Sequence, residues 1–557
     1  MSMRSEKPAN QESGDPVGIN AKPTTTLAHF GLRLFGIGIS LFRTSQASVM
    51  MVWGISDTTP FASSYALSSL IPLILLILAY KFLAHPSRKF PGPLAAKLSN
   101  AYGAFYVAQS RMHLATYRDH QRYGPVVRLG PNRLVFNTST AMHDRESHRR
   151  KRKLIAPVIS ERSMRTFEPT MSTQVNIFLQ QLLQSARLAE PVNMSRRCER
   201  LAIDIVGQLA FGFPLRLQTE ATNQVIPGYL TAGTKLITLY MAWPVISTIS
   251  PLLGWLGRKK AAVFRQALGR MITMRMSMPK DAKHDFYALA TGEIAPGEYG
   301  LSDAELWPEA VFFIAAGGST VHTAMAAAFF YLSRYPSAYA KLAAEIRTTF
   351  PSGHDIRQGP RLAACKYLRA VIDETLRIAP ASLAFTWRQQ DTSSAQASEP
   401  FIVDGHVIPP GTEVAVSLYS LLHNEEYFPE PFVFKPERWL PQSGGENRDR
   451  DSEEQKRQAA RHAFQPFALG DRGCAGKAMA YLELGLVLAR TMWYFNFERA
   501  GGEAGKVGEG KPGREDGRGK REEFQLYDGV IVSHDGPNLV FCLRDDFWKE
   551  LEIDFRD

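Results

Sequence analysis

The sequence predicts a mainly α-helical protein of the α+β class, because long helical segments are combined with a few short strands. The apolar residues of several long segments repeat with the 3.6-residue period of an amphipathic helix. These segments are Ser172–Leu188, Leu201–Ala210, Ala304–Tyr335, Ser337–Thr349, Leu362–Ile378 and Ala475–Trp493. The strand-like runs are shorter: Val126–Leu129, Arg133–Phe136, Phe401–Val403, Glu413–Val416 and Leu539–Leu543. With 557 residues, 45% of them hydrophobic, the chain can bury a large core.

Composition divides the chain into four predicted regions. Residues 1–63 form an N-terminal extension, whose weaker apolar stretch at 35–55 leaves open a second membrane span or an interfacial helix. Residues 64–85 are predicted to be a transmembrane anchor, because a 19-residue apolar run within them carries a single charge. Residues 86–95 are a proline-rich hinge, and residues 96–557 are one large, helix-rich domain.

The charges that follow the anchor predict its orientation. Lys81, Arg88 and Lys89 lie at or just beyond its end, and positive residues favour the cytoplasmic side. The large domain is therefore expected in the cytoplasm, held at the endoplasmic reticulum membrane, and glycans on the sequons at Asn137 or Asn193 would contradict this. A cleaved signal peptide fits less well, because the apolar run lies deep in the chain and no small-residue cleavage site precedes the hinge.

Cysteine usage and charge exclude several classes of protein. The four cysteines are widely spaced and form no C-x-x-C pair. This argues against a disulfide framework and a zinc site, and it fits a reducing compartment. The net charge is +11, and the densest basic run is His148–Lys153. Because an apolar segment follows this run directly and no aromatic residue interrupts it, the run fits a helix face, and no nucleic-acid partner is predicted.

Two segments of biased composition are predicted to be solvated loops. Gln442–Arg461 is dominated by polar and charged residues, and Ala500–Lys520 is rich in Gly, Lys, Glu and Arg. Such compositions offer little apolar surface to a core.

The segment Phe467–Gly476 carries the strongest functional signal in the sequence. A single cysteine, Cys474, stands among glycines, and as a thiolate it can be the axial ligand of a haem iron. Gly470 and Gly476 let the backbone approach a porphyrin closely and aim amide N–H groups at the sulfur. Arg472 supplies a planar cation for a haem propionate, and Phe467 can cover the sulfur from water.

This loop resembles the haem-ligand loop of the cytochromes P450, the haem–thiolate monooxygenases. The resemblance covers roughly residues 90 to 545. It implies the cytochrome P450 fold for the catalytic domain at 96–557, with a helix-rich haem domain and small β-sheets. It also implies haem b as the cofactor, with Cys474 as the ligand of its iron. The proline-rich hinge and the Arg-Gly-Cys-Ala-Gly-Lys segment resemble fungal members that act in secondary metabolism.

A second motif resembles the family's buried ion-pair cluster. Glu374 and Arg377 lie three residues apart, which puts both charges on one helix face. The same Glu-x-x-Arg spacing occurs at Glu454, so the pair alone is a weak signal. Arg438, in Lys-Pro-Glu-Arg-Trp, matches the family's Pro-Glu-Arg-Phe/Trp element. The resemblance implies a structural triad of Glu374, Arg377 and Arg438, whose buried charges must be paired.

A third motif, Ala-Gly-Gly-Ser-Thr at 316–320, resembles the family's oxygen-activating helix. Its small residues are expected to open a groove beside the iron, and Thr320 to hold a water that delivers protons to dioxygen. Ser319 stands where the family normally has an acid. A serine relays a proton but cannot store one, so protons are expected through water or from His322. Thr320 and Ser319 are the predicted catalytic residues.

Three further residues match family positions that hold the haem propionates beside Arg472. His148 and Arg152 match Trp-x-x-x-Arg, with His in place of Trp. Arg388, in Phe-Thr-Trp-Arg, matches a basic residue on the strand after the Glu-x-x-Arg helix. The resemblance therefore implies all four as cofactor-binding residues, although each arginine by itself would fit a surface charge equally well.

The implied function is that of a membrane-anchored monooxygenase that inserts one atom of dioxygen into a lipophilic small molecule. Electrons would come from NADPH through a NADPH–cytochrome P450 reductase, whose acidic surface would face His148–Lys153 and Lys477. Ala310–Met325, Ala381–Thr386 and Val530–His534 are expected to line an apolar substrate pocket. A tailoring step in secondary metabolism is the expected role, and the sequence does not reveal which substrate is oxidised.

A short connection keeps two alternatives open. In the family, a few dozen residues with a short helix that roofs the pocket separate the counterparts of Met142 and His148, which this chain joins almost directly. Either the pocket lacks this roof, which would make the chain a catalytically impaired haem-binding membrane protein, or the sequence lacks an exon. Ser319 keeps open a third function, a haem–thiolate isomerase or dehydratase that needs no reductase.

Overall fold

The computed structural model describes residues 72–143, 161–251, 258–279, 310–390, 400–441, 447–470 and 473–553. The chain divides into two compact units, Met1–Ile77 and Leu78–Asp557. The smaller unit enters the described part only through residues 72–77, so the fold is that of the larger unit.

Helices make up most of the described chain. In order they are α1 (Pro72–Ala84), α2 (Leu94–Leu98), α3 (Ala101–Ala108), α4 (Met112–Tyr123), α5 (Ser139–His143), α6 (Glu161–Arg187), α7 (Met194–Phe211), α8 (Val225–Ala242), α9 (Arg258–Met276), α10 (Ala310–Leu332), α11 (Pro336–Thr349), α12 (Pro360–Ala363), α13 (Lys366–Ile378), α14 (Leu418–Leu422), α15 (Asn447–Ala463), α16 (Lys477–Tyr494) and α17 (Glu550–Ile553).

The strands form three small sheets. They are β1 (Val126–Gly130), β2 (Arg133–Phe136), β3 (Val192–Asn193), β4 (Ile402–Val403), β5 (His406–Val407), β6 (Glu413–Val416), β7 (Phe495–Arg499) and β8 (Asn538–Leu543). The first sheet has the order β1-β2-β6, in which β2 runs antiparallel to β1 and parallel to β6. The second is antiparallel in the order β3-β8-β7, and β4 and β5 form a hairpin. The predicted helix-rich class with small sheets is confirmed.

Helix α10 lies at the centre of the core. Every side chain from Val321 to Leu332 is buried, and the helix packs against α7, α13 and α16. Within the described ranges, it is the one helix long and apolar enough to cross a membrane, yet 61% of its most apolar window is buried inside the protein. That burial makes α10 a core helix, which positions its polar residues deep in the domain.

Helix α1 overlaps the predicted membrane anchor. Its apolar side chains are exposed, with Leu76 and Leu83 each 67% accessible. The helix is shorter than a bilayer-spanning segment. The preceding part of the predicted anchor, residues 64–71, and the apolar stretch at 35–55 lie outside the described residues. The transmembrane anchor therefore stays a prediction.

The proline-rich hinge is fastened to the first sheet. The Arg128 backbone N–H donates to the Pro91 carbonyl at 2.7 Å. At Gly92, a Cβ would lie 2.4 Å from the Arg128 carbonyl oxygen, so only glycine allows this close approach. The start of the catalytic domain is thereby held against β1.

Of the two segments expected to be solvated loops, one is mostly helical and the other is a largely exposed loop. Most of Gln442–Arg461 lies in α15, which contacts α5 through the stacked rings of His143 and His462, 3.7 Å apart. In the segment 500–520, Glu509 is buried and accepts from Arg334 at 3.0 Å. The loop prediction was wrong for Gln442–Arg461, most of which is helical, because a polar composition does not by itself exclude a helix. It is confirmed for the segment 500–520, whose few buried charges such as Glu509 are paired.

Candidate active site

Cys474 lies in a tight loop between α15 and α16. Its backbone N–H donates to the Phe467 carbonyl at 2.6 Å, and the Gly473 N–H donates to the Gly470 carbonyl at 2.9 Å. Gly470 has a φ of +62°, in the left-handed region that glycine adopts without strain. These bonds close the loop and leave the cysteine side chain exposed instead of packed in the core.

The N-terminus of α16 adjoins the cysteine sulfur. Gly476 is the N-cap of this helix, and a Cβ built on it would lie 3.7 Å from the Cys474 sulfur, at van der Waals contact. The positive end of the helix dipole favours a thiolate over a thiol. Lys477, the first residue of α16, is exposed, and its ammonium lies 5.9 Å from the centroid of the half-buried Phe467 ring.

The predicted oxygen-activating segment coincides with a π turn in α10, Ile314–Gly318. Such a turn adds a residue to the helix and often occurs at functional sites. The Thr320 hydroxyl donates to the Ala316 carbonyl at 2.7 Å, and both residues are half-buried. A hydroxyl that bonds the carbonyl four residues earlier bends a helix. The face that carries Ala316 and Thr320 is therefore locally widened.

The two glycines of this segment, Gly317 and Gly318, were predicted to help open a groove, and the structure shows them at a helix–helix contact. A Cβ on Gly317 would lie 2.7 Å from the Val206 side chain, and one on Gly318 would lie 2.8 Å from the Ile203 side chain. Both glycines therefore permit close packing of α10 on α7, and they do not themselves form a groove. The sequence could not reveal this, because helical spacing does not identify which helix packs on which face.

Glu374, Arg377 and Arg438 meet in the interior, as the triad motif predicts. The Glu374 carboxylate accepts from Arg377 Nη2 at 2.8 Å and from Arg438 Nε at 3.0 Å. Both Glu374 and Arg377 are fully buried. Burial alone would raise the pKa of Glu374, but Arg377 and Arg438 outweigh it and hold that pKa below its ordinary value. The carboxylate is therefore ionised and paired on both sides.

Two further donors to Glu374 were missed by sequence reasoning. Trp439 Nε1 donates at 2.9 Å, and the Lys435 backbone N–H donates at 3.0 Å. Both belong to the same Lys-Pro-Glu-Arg-Trp segment as Arg438, whose 3₁₀ turn at Pro436–Trp439 presents all three groups to one carboxylate. The Trp439 indole carries an N–H that needs an acceptor when it is buried, and this is the sequence signal that could have indicated a bond to Glu374.

An apolar cavity lies between the N-terminal helices, the first sheet and α8. Buried apolar side chains, among them Met112, Leu129, Leu383 and Phe385, line it. Two of the segments predicted to line the substrate pocket are joined nearby, since Ser382 Oγ donates to the Val530 carbonyl at 2.7 Å. The structure therefore joins 381–386 to 530–534, but only the first of these segments lines the apolar cavity, through Leu383, Ala384 and Phe385.

The model of the family described as "Cytochrome P450" matches residues 119–510. The chain belongs to the cytochrome P450 family. The "Cytochrome P450 monooxygenase AKT7" of Alternaria alternata is 29% identical, over 84% of this chain and 94% of its own length. The "Cytochrome P450 monooxygenase apf7" of Gibberella fujikuroi is 31% identical, over 85% and 96%. A third cytochrome P450 monooxygenase, atnE of Emericella nidulans, is 28% identical, over 83% and 92%.

Among the four cysteines of this cytochrome P450, Cys474 fits a ligand of a haem iron. Cys198 and Cys365 are buried, and burial raises the pKa of both thiols. Cys542 is exposed but lies within strand β8, whose residues Asn538–Leu543 include no glycine. Cys474 combines exposure, a helix N-terminus and a glycine at the sulfur, which are the conditions that favour a thiolate ligand.

The predicted propionate ligands fall only partly within the described ranges. Arg472, His148 and Arg152 lie outside the described residues, as does most of the short connection 142–148. Arg388 pairs with Val414 in an antiparallel bridge and is half-buried. Its Nη1 donates to the Trp387 carbonyl at 2.9 Å. Its role toward haem stays a prediction.

Ser319 and Thr320 occupy different faces of α10. Ser319 and His322 are each 6% exposed and line a polar cleft against α7. Thr320 lies on the neighbouring face with Ala316. Ser319, which stands at the position of the family's acid, is thus adjacent to Thr320 in sequence but lines a separate cleft.

Proposed function

We propose that this cytochrome P450 inserts one atom of dioxygen into a lipophilic small molecule, as a tailoring step in secondary metabolism. The observation that carries the proposal is the exposed Cys474 at the N-terminus of α16, together with a π turn in α10 that presents Thr320. When bound, the haem supplies the iron at which dioxygen is reduced and cleaved. The similar cytochrome P450 monooxygenases of fungi support the reaction class.

The residues of this chain would have separate roles around that cofactor. Cys474 would hold the iron, with the α16 dipole and the loop N–H groups stabilising the charge on sulfur. Arg472, Arg152, His148 and Arg388 would hold the propionates as cations and donors. The triad, through Glu374, would keep the surrounding backbone in one arrangement. Thr320 would hold water at the widened turn and pass protons to dioxygen.

The cavity supports a lipophilic substrate. The side chains of Met112, Leu129, Leu383 and Phe385 are apolar and buried, so an apolar molecule would gain by leaving water. Among the polar residues at this cavity, Arg133 is held by Glu413 at 2.6 Å and by the Ala242 carbonyl at 2.6 Å. Because these two groups already pair with its guanidinium, Arg133 is not an argument for an anionic substrate.

Electrons would come one at a time from NADPH through a flavoprotein reductase. The exposed Lys477 beside the Cys474 loop offers a positive charge to the acidic surface of such a partner. With full-length protein and a NADPH–cytochrome P450 reductase, we expect NADPH and dioxygen to be consumed only when both proteins are present. An isomerase or dehydratase would instead rearrange a hydroperoxide such as cumene hydroperoxide without the reductase, and that result would contradict the proposal.

We also propose that the catalytic domain faces the cytoplasm from the endoplasmic reticulum membrane. A glycan on either natural sequon would contradict this, but a lack of glycan has a second explanation, because the Asn193 amide donates to Asp535 at 2.9 Å and the Asn137 Oδ1 is buried. Glu220 is exposed and is followed by the exposed Ala221 and Thr222, so Glu220→Asn completes an accessible sequon.

The Glu220→Asn protein should remain unglycosylated when it is expressed in eukaryotic cells, because the glycosylation machinery is luminal. Electrophoretic mobility with and without a glycosidase measures this. A secreted control protein that carries the same sequon shows that the cells glycosylate it. A glycan on the variant would place the domain in the lumen and would refute the predicted topology.

A further inference from the structure

A polar cleft of about 280 Å³ opens beside the π turn of α10 and is distinct from the apolar cavity. Helix α7 contributes Ser195 and Glu199, α10 contributes Ser319 and His322, and the loop after β-bridge residue Tyr527 contributes His534. Arg196 and Asp535, also part of its lining, are exposed, whereas Ser319 and His322 are almost completely buried. The cleft therefore leads from the surface to the position before Thr320.

His534 is fully committed to hydrogen bonds in its neutral form. Its Nδ1 pairs with Ser195 Oγ, which itself donates to the Gly536 carbonyl. Its Nε2 lies 3.1 Å from Thr323 Oγ1. These contacts of His534 are satisfied when Nδ1 carries the proton and Nε2 accepts from the Thr323 hydroxyl, which then gives up its longer contact of 3.4 Å to the Ser319 carbonyl. Burial also lowers the pKa of His534 well below its ordinary value, so this residue shapes the cleft and does not supply protons.

His322 is equally unsuited as a proton source. Its Nδ1 lies 3.3 Å from the Gly318 carbonyl and can donate to it. Burial lowers the pKa of His322 to about 4, so the ring is neutral near pH 7. The hypothesis that His322 replaces the missing acid is therefore not supported by its surroundings, although the ring can accept a hydrogen bond from water in the cleft.

Glu199 is the acid that remains. Within the described residues its carboxylate makes no hydrogen bond or ion pair, whereas Asp535 Oδ1 accepts from Asn193 and from the Gly536 N–H. Burial raises the pKa of Glu199 to about 7, against the opposing charges of Arg200 and Arg196 on its own helix. Across the cleft it faces His322, His534 and Asp535, and α8 contributes only the uncharged Leu230, Thr231 and Thr234.

Ser319 stands at the inner end of this route. Its hydroxyl has no hydrogen-bond partner among the described residues, and the side chain lines the cleft, where water can bond to it. We propose that Glu199 and Ser319 form the proton entry of this monooxygenase, in which Glu199 takes protons from solvent and Ser319 passes them through water to Thr320. This inference rests on the proposed function, since it supplies the protons that dioxygen reduction consumes.

The transfer balances at every step. Protonated Glu199 gives its proton to a water in the cleft, and that water releases a different proton to the Ser319 hydroxyl oxygen. Ser319 releases its own proton toward water at Thr320, and Glu199 is reprotonated from solvent at the mouth of the cleft. Only O–H bonds form and break, and the electrons come separately from the reductase.

The partition of dioxygen between peroxide and water tests the route without knowledge of the substrate. With NADPH, reductase and no added substrate, prompt protonation favours water, and slow protonation releases hydrogen peroxide. We expect Glu199→Gln and Ser319→Ala each to lower the ratio of water to peroxide by roughly tenfold. This is less than the about 100-fold of a direct general acid, because water in the cleft can still carry protons.

Combination and control variants distinguish a shared route from general damage. If both residues act in one path, the Glu199→Gln/Ser319→Ala double variant should be no worse than either single variant. Adding Ser319→Asp to Glu199→Gln should restore the wild-type ratio, because it places an acid where the relay begins. Glu220→Gln removes an exposed carboxylate that pairs with Arg216, and it should change nothing. Unchanged ratios in both single variants, or multiplied effects in the double variant, would overturn the proposal.

An infrared titration provides a readout independent of turnover. The protonated carboxyl of Glu199 should give a C=O band that disappears with a midpoint near pH 7 and is absent from Glu199→Gln. A midpoint near the ordinary glutamate value would show an ionised side chain at neutral pH and would refute its role as donor. If wild-type protein consumes no NADPH with reductase, the proposed function fails, whereas normal consumption with unmoved ratios contradicts only the proton entry.

Discussion

Replacing Cys474 with histidine is expected to abolish the strongly red-shifted absorption band that a reduced, carbon monoxide-treated haem–thiolate protein shows. The band requires a thiolate on the iron, and an imidazole is a neutral ligand that cannot donate the same electron density. The loop should survive the change, because the Cys474 contact that closes it is a backbone hydrogen bond to Phe467. Reductase-dependent NADPH consumption should fall together with the band.

Cys542 offers a matched control for this experiment. It is also exposed, but it lies within strand β8 and not in a glycine-containing loop that starts a helix. Cys542→Ser should keep the red-shifted band and the full rate of NADPH consumption. A Cys474→His protein that retained the band would show that another residue holds the iron, and the assignment of Cys474 would be wrong.

Replacing Glu374 with glutamine is expected to destabilise the folded protein by about 3–5 kcal/mol, because it leaves Arg377 buried with a neutral partner. Arg377 is completely buried, and its other hydrogen bonds are to the carbonyls of Leu422, Pro431 and Val433. Arg438 would also lose its ion pair with this carboxylate, in which its Nε lies 3.0 Å from a carboxylate oxygen. Thermal or urea unfolding measures the loss, and the yield of soluble, haem-binding protein should fall with it.

A surface pair of the same spacing provides the control. Glu454 and Arg457 repeat Glu-x-x-Arg on α15, but the Glu454 side chain is 44% exposed. Because water screens such a pair, Glu454→Gln should cost less than about 1 kcal/mol. Equal losses in the two variants would mean that the Glu374 cluster is not a buried structural element.

The ionisation of Glu374 also predicts a pH dependence. Its pKa is lowered in the folded protein, so the unfolded chain binds a proton more readily. The stabilisation is therefore present above the ordinary glutamate pKa and is lost as the pH falls through the lower folded value. The free energy of unfolding, measured at a series of pH values from 6 downward, should fall for this reason in the wild type. The Glu374→Gln variant should lack this contribution to the fall.

The triad shows which contacts local sequence spacing can predict and which it cannot. The i,i+3 spacing is enough to place Glu374 and Arg377 on one helix face. Trp439 Nε1 and the Lys435 N–H reach the same carboxylate from a segment more than 60 residues later. Only the packing of the Pro436–Trp439 turn against α13 determines that these donors complete the site.

The α10 motif shows where the same reasoning fails. The small and polar residues at 316–320 indicated an oxygen-activating helix with a groove, and the π turn Ile314–Gly318 overlaps that motif. The assignment of the glycines to a groove was wrong, because Gly317 and Gly318 face Val206 and Ile203 of α7. Glu199 had no sequence signal at all, since its proximity to Ser319 arises only from that helix contact.

The sequence by itself determined the family, the Cys474 loop and the helix-rich class, because these depend on residue types at short, fixed spacing. Tertiary structure decided which face of α10 meets which neighbour, how Glu374 acquires its distant donors, and why the segment 500–520 is ordered around buried Glu509. The physical reason is that burial and charge pairing depend on contacts between residues remote in sequence. Local periodicity constrains such contacts only weakly.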